Sequence, residues 1–557
     1  MLGSSAIKDD TARWPLLASY AYALLCRRAG LLWYAGAVVV GIAVCVYTGI
    51  DANYDRLNYH IASARRLLQG RTFDDVAISG IQTYFNPAIN LLSYALAREL
   101  GFFWSRYALV AIQALAWAFL GAAVWRVILI EHKVRFPQGL VIAAAMAVLS
   151  LCAPVSISVL GTTFADLTMA TLISAVLLIR LPTGFEVRPW RGALTGLILG
   201  VGVGLKPTIL PLCLAYGIVF YAMLAMLNRP VRAAAEFLAF GVAAAAATLL
   251  VAGPWALEVM KETGNPVFPY ANDIFHSPFV PPGDMADIRF RPASLGELLK
   301  VPARLAIGGH SITVESWVRD IRFAMFWYAL VPALVVFVIW RRGQAAAFVR
   351  SAPRTTFLYA FFIAAYLAWE AMSGIQRYAL TLDILVGLLL ALPLLVLPYR
   401  WACVGGAVMA VLHVGTLRPV LWDLQRAAFD QSAAPGAGKI FAEKALIFIS
   451  RTSLNDTPQA YLVDYFGTDS RFVLRSRYEP RFSLETGAGG PFAEKVRTLL
   501  ARPWPDGIWF VTDAVTDADT RNYFNGYGLT LTSDCRTITT WAAPRLVMCR
   551  VSPTGAP

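Results

Sequence analysis

Apolar residues fall along this chain in blocks long enough to cross a bilayer, separated by short basic or polar segments. The first block runs from Leu31 to Ile50, directly after Arg27 and Arg28. Further blocks lie near 105–130, 139–159, 165–182, 192–205, 207–228, 236–254, 323–340, 355–373, 378–397 and 401–417. Several are shorter than the roughly 20 residues of a full crossing, so their ends are soft. The pattern predicts a polytopic α-helical membrane protein with about eleven transmembrane helices.

Charge agrees with that count. Lys133 and Arg135, Arg188 and Arg191, Arg229 and Arg232, then Arg341, Arg342, Arg350 and Arg354, and finally Arg400 fall in alternate connections, on the side of the N-terminus. The positive-inside rule makes that side cytoplasmic, places Asp51 first on the far side, and leaves the C-terminus outside. The N-terminal residues 1–30 lack a short apolar core with a cleavage site, so the segment is expected to be retained. Composition narrows the class. Only 15% of the 557 residues are charged and 58% are hydrophobic, where soluble domains carry about 25% charged residues. A soluble enzyme, a disordered chain and a rod are excluded. The net charge of +13 follows from the basic connections and needs no nucleic acid. The preference for arginine over lysine suggests a bacterial source, hence the inner (cell) membrane.

Three outer segments are too long to be connectors. Residues 51–104 contain amphipathic stretches at 57–69 and 87–100, expected to lie along the membrane surface. Residues 255–321 are rich in Pro and Gly (GNPVFPY, PFVPPGD) before the amphipathic run SLGELLKVPARLA. From about 419 to 557 the composition changes. Strand-like runs YLVDYF, RFVLRSRY, GIWFVTDA and LTLTSDC alternate with helical FAEKVRTLLA and DADTRNYFNGYG. The expected organisation is a transmembrane module over 1–418, with outer loops 51–104 and 255–321, and a soluble periplasmic α/β domain over 419–557. Cys26, Cys45, Cys152, Cys213 and Cys403 lie in or beside apolar blocks and read as packing residues. Cys535 and Cys549 lie on successive tail strands, where an oxidising compartment favours a disulfide over two buried thiols.

The candidate chemistry sits at the block ends. Asp55, Tyr59 and His60 follow the first block; Asp166 in GTTFADLTMA opens the fourth; Lys206 in GVGLKPTILPL separates two blocks; Arg377 in SGIQRYAL follows the ninth, with Glu370 one or two turns earlier. Any one of these could be a helix cap or a snorkelling side chain. Acidic and basic groups assembled on one membrane face instead suggest a functional cavity. Cations near the outer surface suit the phosphate of a lipid-linked donor. Asp55 and Asp166 suit sugar hydroxyls, an acceptor or a metal.

The order DANYDRLNYHIASARRLLQG, the proline-led FNPAINLLSYALARELG, the Asp166 block start, the GLKPT turn, TGNPVFP at 263–269 and SGIQRYAL resembles the GT-C superfamily of integral-membrane glycosyltransferases. It is most similar to bacterial members related to protein O-mannosyltransferases and aminoarabinose transferases. The resemblance implies a polyprenyl-phosphate-linked sugar donor and an outer-leaflet site. Asp55 resembles the catalytic carboxylate and Asp166 the second acidic residue. Lys206 and Arg377 resemble donor-phosphate ligands, and Tyr59, His60 and Glu370 are further substrate-binding candidates. Arg56 stands where many relatives carry a second acidic residue, so a divalent metal (Mg or Mn) at Asp55 is left open. Asp51, or Asp74 with Asp75, are alternative carboxylates. Tyr84, Asn86, Asn265 and Tyr270 could contact sugar or serve turns and packing, whereas His276 and His310 lack a partner motif for zinc. GVGVG at 200–204 reads as close helix packing rather than a nucleotide loop.

The expected activity is an inverting transfer of a hexosyl or pentosyl group to a glycan, lipid or protein acceptor of the cell envelope, with Asp55 as general base. The alternatives are an O-antigen ligase or polymerase-type transferase, a lipid-linked glycan transporter, and a tail that binds a partner while the helices serve as scaffold.

Overall fold

Each apolar block forms helix, and proline sets many of the starts. Pro154, Pro189, Pro230 and Pro353 occupy first turns, where a missing N–H leaves no hydrogen bond unmade. The computed structural model describes residues 6–283, 285–420, 440–451, 459–476, 490–512, 518–543 and 545–554. Among them seven helices are long and apolar enough to cross a membrane: Tyr22–Thr48, Pro87–His132, Pro207–Leu227, Pro230–Thr263, Ile321–Trp340, Pro353–Met372 and Gln376–Val396. The remaining expected blocks are also helical, as Gln138–Leu151, Asp166–Arg180, Pro189–Leu205 and Tyr399–Thr416, but are shorter or less apolar.

Three blocks differ in detail. The first extends backward, as one helix Ala6–Thr48 kinked at Arg28. The amphipathic stretch 87–100 runs on into the second block through a kink at Gly101. Block 139–159 is broken, because Pro154 cannot continue the ladder of Gln138–Leu151 and opens the separate helix Pro154–Val159.

One helix pair shows how sequence sets spacing. Gly192, Gly196, Gly200 and Gly204 recur every four residues along Pro189–Leu205 and face Pro230–Thr263. A Cβ added at Gly192 would meet the Glu236 carbonyl oxygen at 2.7 Å, and one at Gly204 would meet that of Thr248 at 3.1 Å. At Gly196 and Gly200 it would collide with the carbonyls of Phe240 and Ala244. Small residues on one face thus bring two backbones together where apolar burial supplies little drive.

Outside the helices, β1 (Gly309–His310) and β2 (Trp317–Val318) pair in the second outer segment. The tail holds β3 (Leu446–Arg451), β4 (Arg471–Ser476), β5 (Ile508–Thr512), β6 (Leu529–Ile538) and β7 (Leu546–Pro553), in the order β4-β3-β5-β7-β6. β3 runs parallel to β4 and β5, while β5, β7 and β6 are antiparallel, and helices Pro491–Leu500 and Ala518–Asn525 complete an α/β unit. Cys535 and Cys549 are cross-strand partners joined by a disulfide. YLVDYF is not a strand: Ala460–Tyr465 forms a 3-10 turn with all six residues buried.

The tail shares its core with the outer segments. Leu57 and Ile61 from the first outer segment, Val259, Phe268 and Val280 from the second, and Phe448, Val473 and Phe510 from the sheet belong to one buried cluster. The amphipathic stretch 57–69 therefore turns Leu57, Ile61, Ala62 and Ala64 into protein rather than lipid. Val76 adds a parallel bridge to edge strand β4, its N–H donating to the Phe472 carbonyl at 2.9 Å and its own carbonyl accepting from Leu474 N–H at 3.1 Å.

Candidate functional site

Four helix ends carry the four charged residues that the sequence singles out, and the fold brings them together. Asp55 directly precedes a π-helical turn, Arg56–His60, and its carboxylate makes no capping bond. Asp166 is the first residue of Asp166–Arg180. Lys206 breaks the chain between Pro189–Leu205 and the turn Pro207–Ile209, in the extended conformation that the following proline favours. Arg377 lies in the 3-10 turn Gln376–Ala379. That turn is reached through Gly374, whose φ of 65° and close approach to the Phe290 backbone leave no room for a side chain.

The side chains form an alternating chain of charge. Arg377 Nη1 donates to Asp55 Oδ2 at 3.1 Å and lies 4.0 Å from Asp166 Oδ2. Lys206 Nζ donates to Asp166 Oδ1 at 2.5 Å. Side-chain exposure along this chain is 16% for Asp55, 10% for Arg377, 2% for Asp166 and 19% for Lys206. The two ends are open and Asp166 is enclosed, so Asp166 braces both cations while Asp55 and Lys206 face outward. Aromatic faces complete the bracing. The Arg377 guanidinium lies 4.2 Å from the Phe164 ring centre and Lys206 Nζ 5.4 Å from that of Tyr378.

Tyr59 and His60 stand behind Asp55. Tyr59 packs edge-on against His60 and Phe85, and Phe85 stacks with Tyr270, giving an aromatic wall. Burial, then the Asp55 charge, push the Tyr59 hydroxyl well above its usual range. The His60 ring shares a 2.9 Å hydrogen bond with Thr163 Oγ1. Burial, aided by Lys206, holds His60 down to about 3, so it is neutral.

Other candidates have structural employment. Asp51 accepts from Thr163 N–H at 2.8 Å and from Asn53. Burial alone would raise its carboxyl, but Arg56 and Arg106 hold it below the usual range. Asp75 pairs with Arg66 and accepts from Phe472 N–H, and Asp74 pairs with Arg471; both tie the first outer segment to the tail. Tyr84 packs against Phe73 and Phe268. Asn265 holds its own turn through Tyr270 O and Val267 N–H. Asn86 caps its turn and donates to Gly204 O, two residues before Lys206. His276 and His310 are exposed. Glu370 does not join the charged chain: it is buried near the end of Pro353–Met372, beside Tyr366 of the same helix.

The sequence reading missed Phe164 and Thr163, which shape the turn before Asp166. It also missed Asp287, Arg289 and Glu315 of the second outer segment. Arg289 bridges the other two at 2.6 and 3.2 Å, and Asp287 and Glu315 both feel the Arg377 charge. Nothing in the sequence around them marks a site. Among the described residues no group of three or more His, Cys, Asp or Glu side chains gathers as a metal-binding set.

No protein-family model and no curated protein matches the sequence. Among solved structures, the chain is similar to the crystal structure of ArnT from Cupriavidus metallidurans bound to undecaprenyl phosphate, with TM-score 0.48 and 13% identity over 95% of this chain and 99% of that chain. That is a similarity of chain path and carries no residue assignment.

Proposed function

We propose that this protein is a GT-C-type glycosyltransferase that moves a sugar from a polyprenyl-phosphate donor to a cell-envelope acceptor at the outer leaflet of a bacterial inner membrane. The observation that carries the reading is the Asp55–Arg377–Asp166–Lys206 chain, in which a carboxylate and two cations meet at one end of an apolar helical module. Leu210, Leu214 and Ile218 support the lipid part. They are exposed at four-residue spacing on the helix that follows Lys206, a stripe suited to an isoprenoid chain whose phosphate reaches the cations.

In this reading the acceptor hydroxyl gives its proton to Asp55 as its oxygen attacks the anomeric carbon. The bond from that carbon to the phosphate oxygen breaks, and its electron pair leaves with the polyprenyl phosphate. Arg377 and Lys206 stabilise the charge that develops there. Asp166 keeps both cations in place. A single displacement inverts the anomeric centre.

The test is purified Asp55→Asn in proteoliposomes containing a polyprenyl-phosphate sugar, with covalent transfer and donor movement measured separately. Transfer should be lost at unchanged expression and melting temperature. Near-normal transfer by this variant would refute the assignment, and donor movement without transfer by the unaltered protein would favour a transporter.

A further inference from the structure

Arg56 follows Asp55 directly, yet it points away from the charged chain and is 2% exposed. Its Nη1 donates to the Asp51 carbonyl at 2.5 Å, while Nε and Nη2 make no hydrogen bond. The guanidinium instead lies 4.2 Å from the ring centre of Phe102 and 5.1 Å from that of Trp541. The two rings are themselves 4.5 Å apart. Phe102 belongs to the first outer segment; Trp541 belongs to the tail, in the turn after β6, where its backbone N–H donates to the Tyr465 hydroxyl at 2.9 Å. Nη1 also stands 4.0 Å from the Asp51 carboxylate, and the two aromatic faces offset the rest of the cost of burying this guanidinium.

The same segment is held by the tail at a second place. Arg65 Nη1 donates to Asp464 Oδ1 at 2.6 Å, and Asp464 is the fifth residue of the 3-10 turn Ala460–Tyr465. Between these two anchors run Leu57, Asn58 and His60, all buried. Asp55 itself has no capping bond and meets the protein through Arg377. The direction of its carboxylate therefore depends on the backbone that Arg56 fixes.

We infer that the C-terminal sheet domain is a positioning element for Asp55, acting through the stacking of Trp541 on Arg56. This rests on the reading of Asp55 as the base. Trp541 touches no reacting group; its part is to hold the turn that aims the carboxylate. A small misplacement of a catalytic group costs about 100-fold in rate, so the contact would bear on turnover rather than on donor capture, which belongs to Lys206 and Arg377.

The experiment compares full-length Trp541→Ala and Trp541→Phe, because Arg56→Ala risks unfolding by stranding Asp51. Two readouts are taken: kcat and donor KM for transfer from a polyprenyl-phosphate sugar, and backbone amide exchange over residues 55–60. Trp541→Ala should lower kcat by about 10- to 100-fold with donor KM within about twofold, and should speed exchange at 55–60. Trp541→Phe, which keeps a ring, should recover most of both. Wild-type exchange at 55–60 in Trp541→Ala overturns the coupling. Faster exchange with unchanged kcat overturns the positioning role. Faster exchange in a protein whose unaltered form transfers no sugar leaves the coupling standing and sinks the catalytic reading instead.

Discussion

Arg377 and Asp55 are 322 positions apart in sequence, and their side chains meet at 3.1 Å. The same guanidinium stands 4.0 Å from Asp166 and over the Phe164 ring, so one cation organises two carboxylates and an aromatic face. Arg377→Gln removes the charge and leaves Asp55 and Asp166 to repel each other. A hydrogen bond to a charged group is worth about 1.5–3 kcal/mol, so donor KM should rise by about tenfold or more, with kcat also falling. Arg377→Lys keeps the charge but not the planar fork, and should recover only part of the loss. Steady-state kinetics against a polyprenyl-phosphate sugar checks the ranking; equal values for Lys and Gln would mean that charge at this position does not matter.

A second buried network supports the turn that carries Arg377. Arg322 Nη2 pairs with both Asp320 and Asp383 at 2.6 Å, all three fully buried. Asp383 also accepts from the Ser156 backbone and hydroxyl, and from Gln376, the neighbour of Arg377, at 3.4 Å. Removing one partner of such a group leaves uncompensated charge and costs about 3–5 kcal/mol. Arg322→Met should therefore lower the melting temperature sharply. Arg322→Met combined with Asp320→Asn and Asp383→Asn should restore much of it, because no lone charge is then buried. Thermal unfolding in detergent of the single and triple variants decides this.

The charged residues were legible for a specific reason. Asp55, Asp166, Lys206 and Arg377 each interrupt or border an apolar block, and the parity of crossings already placed them at one end. Their pairing was not legible, because it depends on how helices remote in sequence pack. Glu370 shows the limit. It lies one or two turns before Arg377 in sequence, but the helix stops at Met372 and the chain turns at Gly374, so closeness in sequence does not bring the two side chains into one charged chain. Asp51 and Asp55 look alike in DANYD, and only the turn at Thr163 decides which is enclosed. In the tail, YLVDYF has strand-like composition, yet a turn that buries every residue requires the same apolar content.

His60 links the site to pH. Its folded-state pKa is about 3, depressed by burial first and by Lys206 second, while an unfolded histidine titrates near 6.5. Below pH ~6.5 the unfolded chain takes up a proton that the folded form refuses, so stability is full above that value and is lost progressively toward pH 3. At pH 5 this single group should cost about 2 kcal/mol. His60→Gln removes the titration. Its melting temperature should consequently fall less between pH 7 and pH 5 than that of the unaltered protein. Parallel curves for the two proteins would show that His60 does not set this slope.

The glycine stripe reaches the site through Lys206. Gly192, Gly196, Gly200 and Gly204 let Pro189–Leu205 lie against the carbonyl row of Pro230–Thr263, and the helix that they seat ends at Lys206. At Gly196 the obstacle to a Cβ is the Phe240 backbone, which has no rotamer to yield, so Gly196→Ala must push the two helices apart. Overpacking of this kind costs about 1–3 kcal/mol. The shift is also carried to Lys206 Nζ, whose 2.5 Å bond to Asp166 tolerates little displacement. Gly241 and Gly253 lie on the partner helix with nothing within 4 Å of an added Cβ, so alanine there should be neutral. The expected order of melting temperature is Gly241→Ala and Gly253→Ala close to the unaltered protein and Gly196→Ala clearly below it. Gly196→Ala should also raise donor KM at a temperature where it is still folded. A Gly196→Ala protein as stable as the Gly241→Ala control would mean that the two helices are not held at glycine distance.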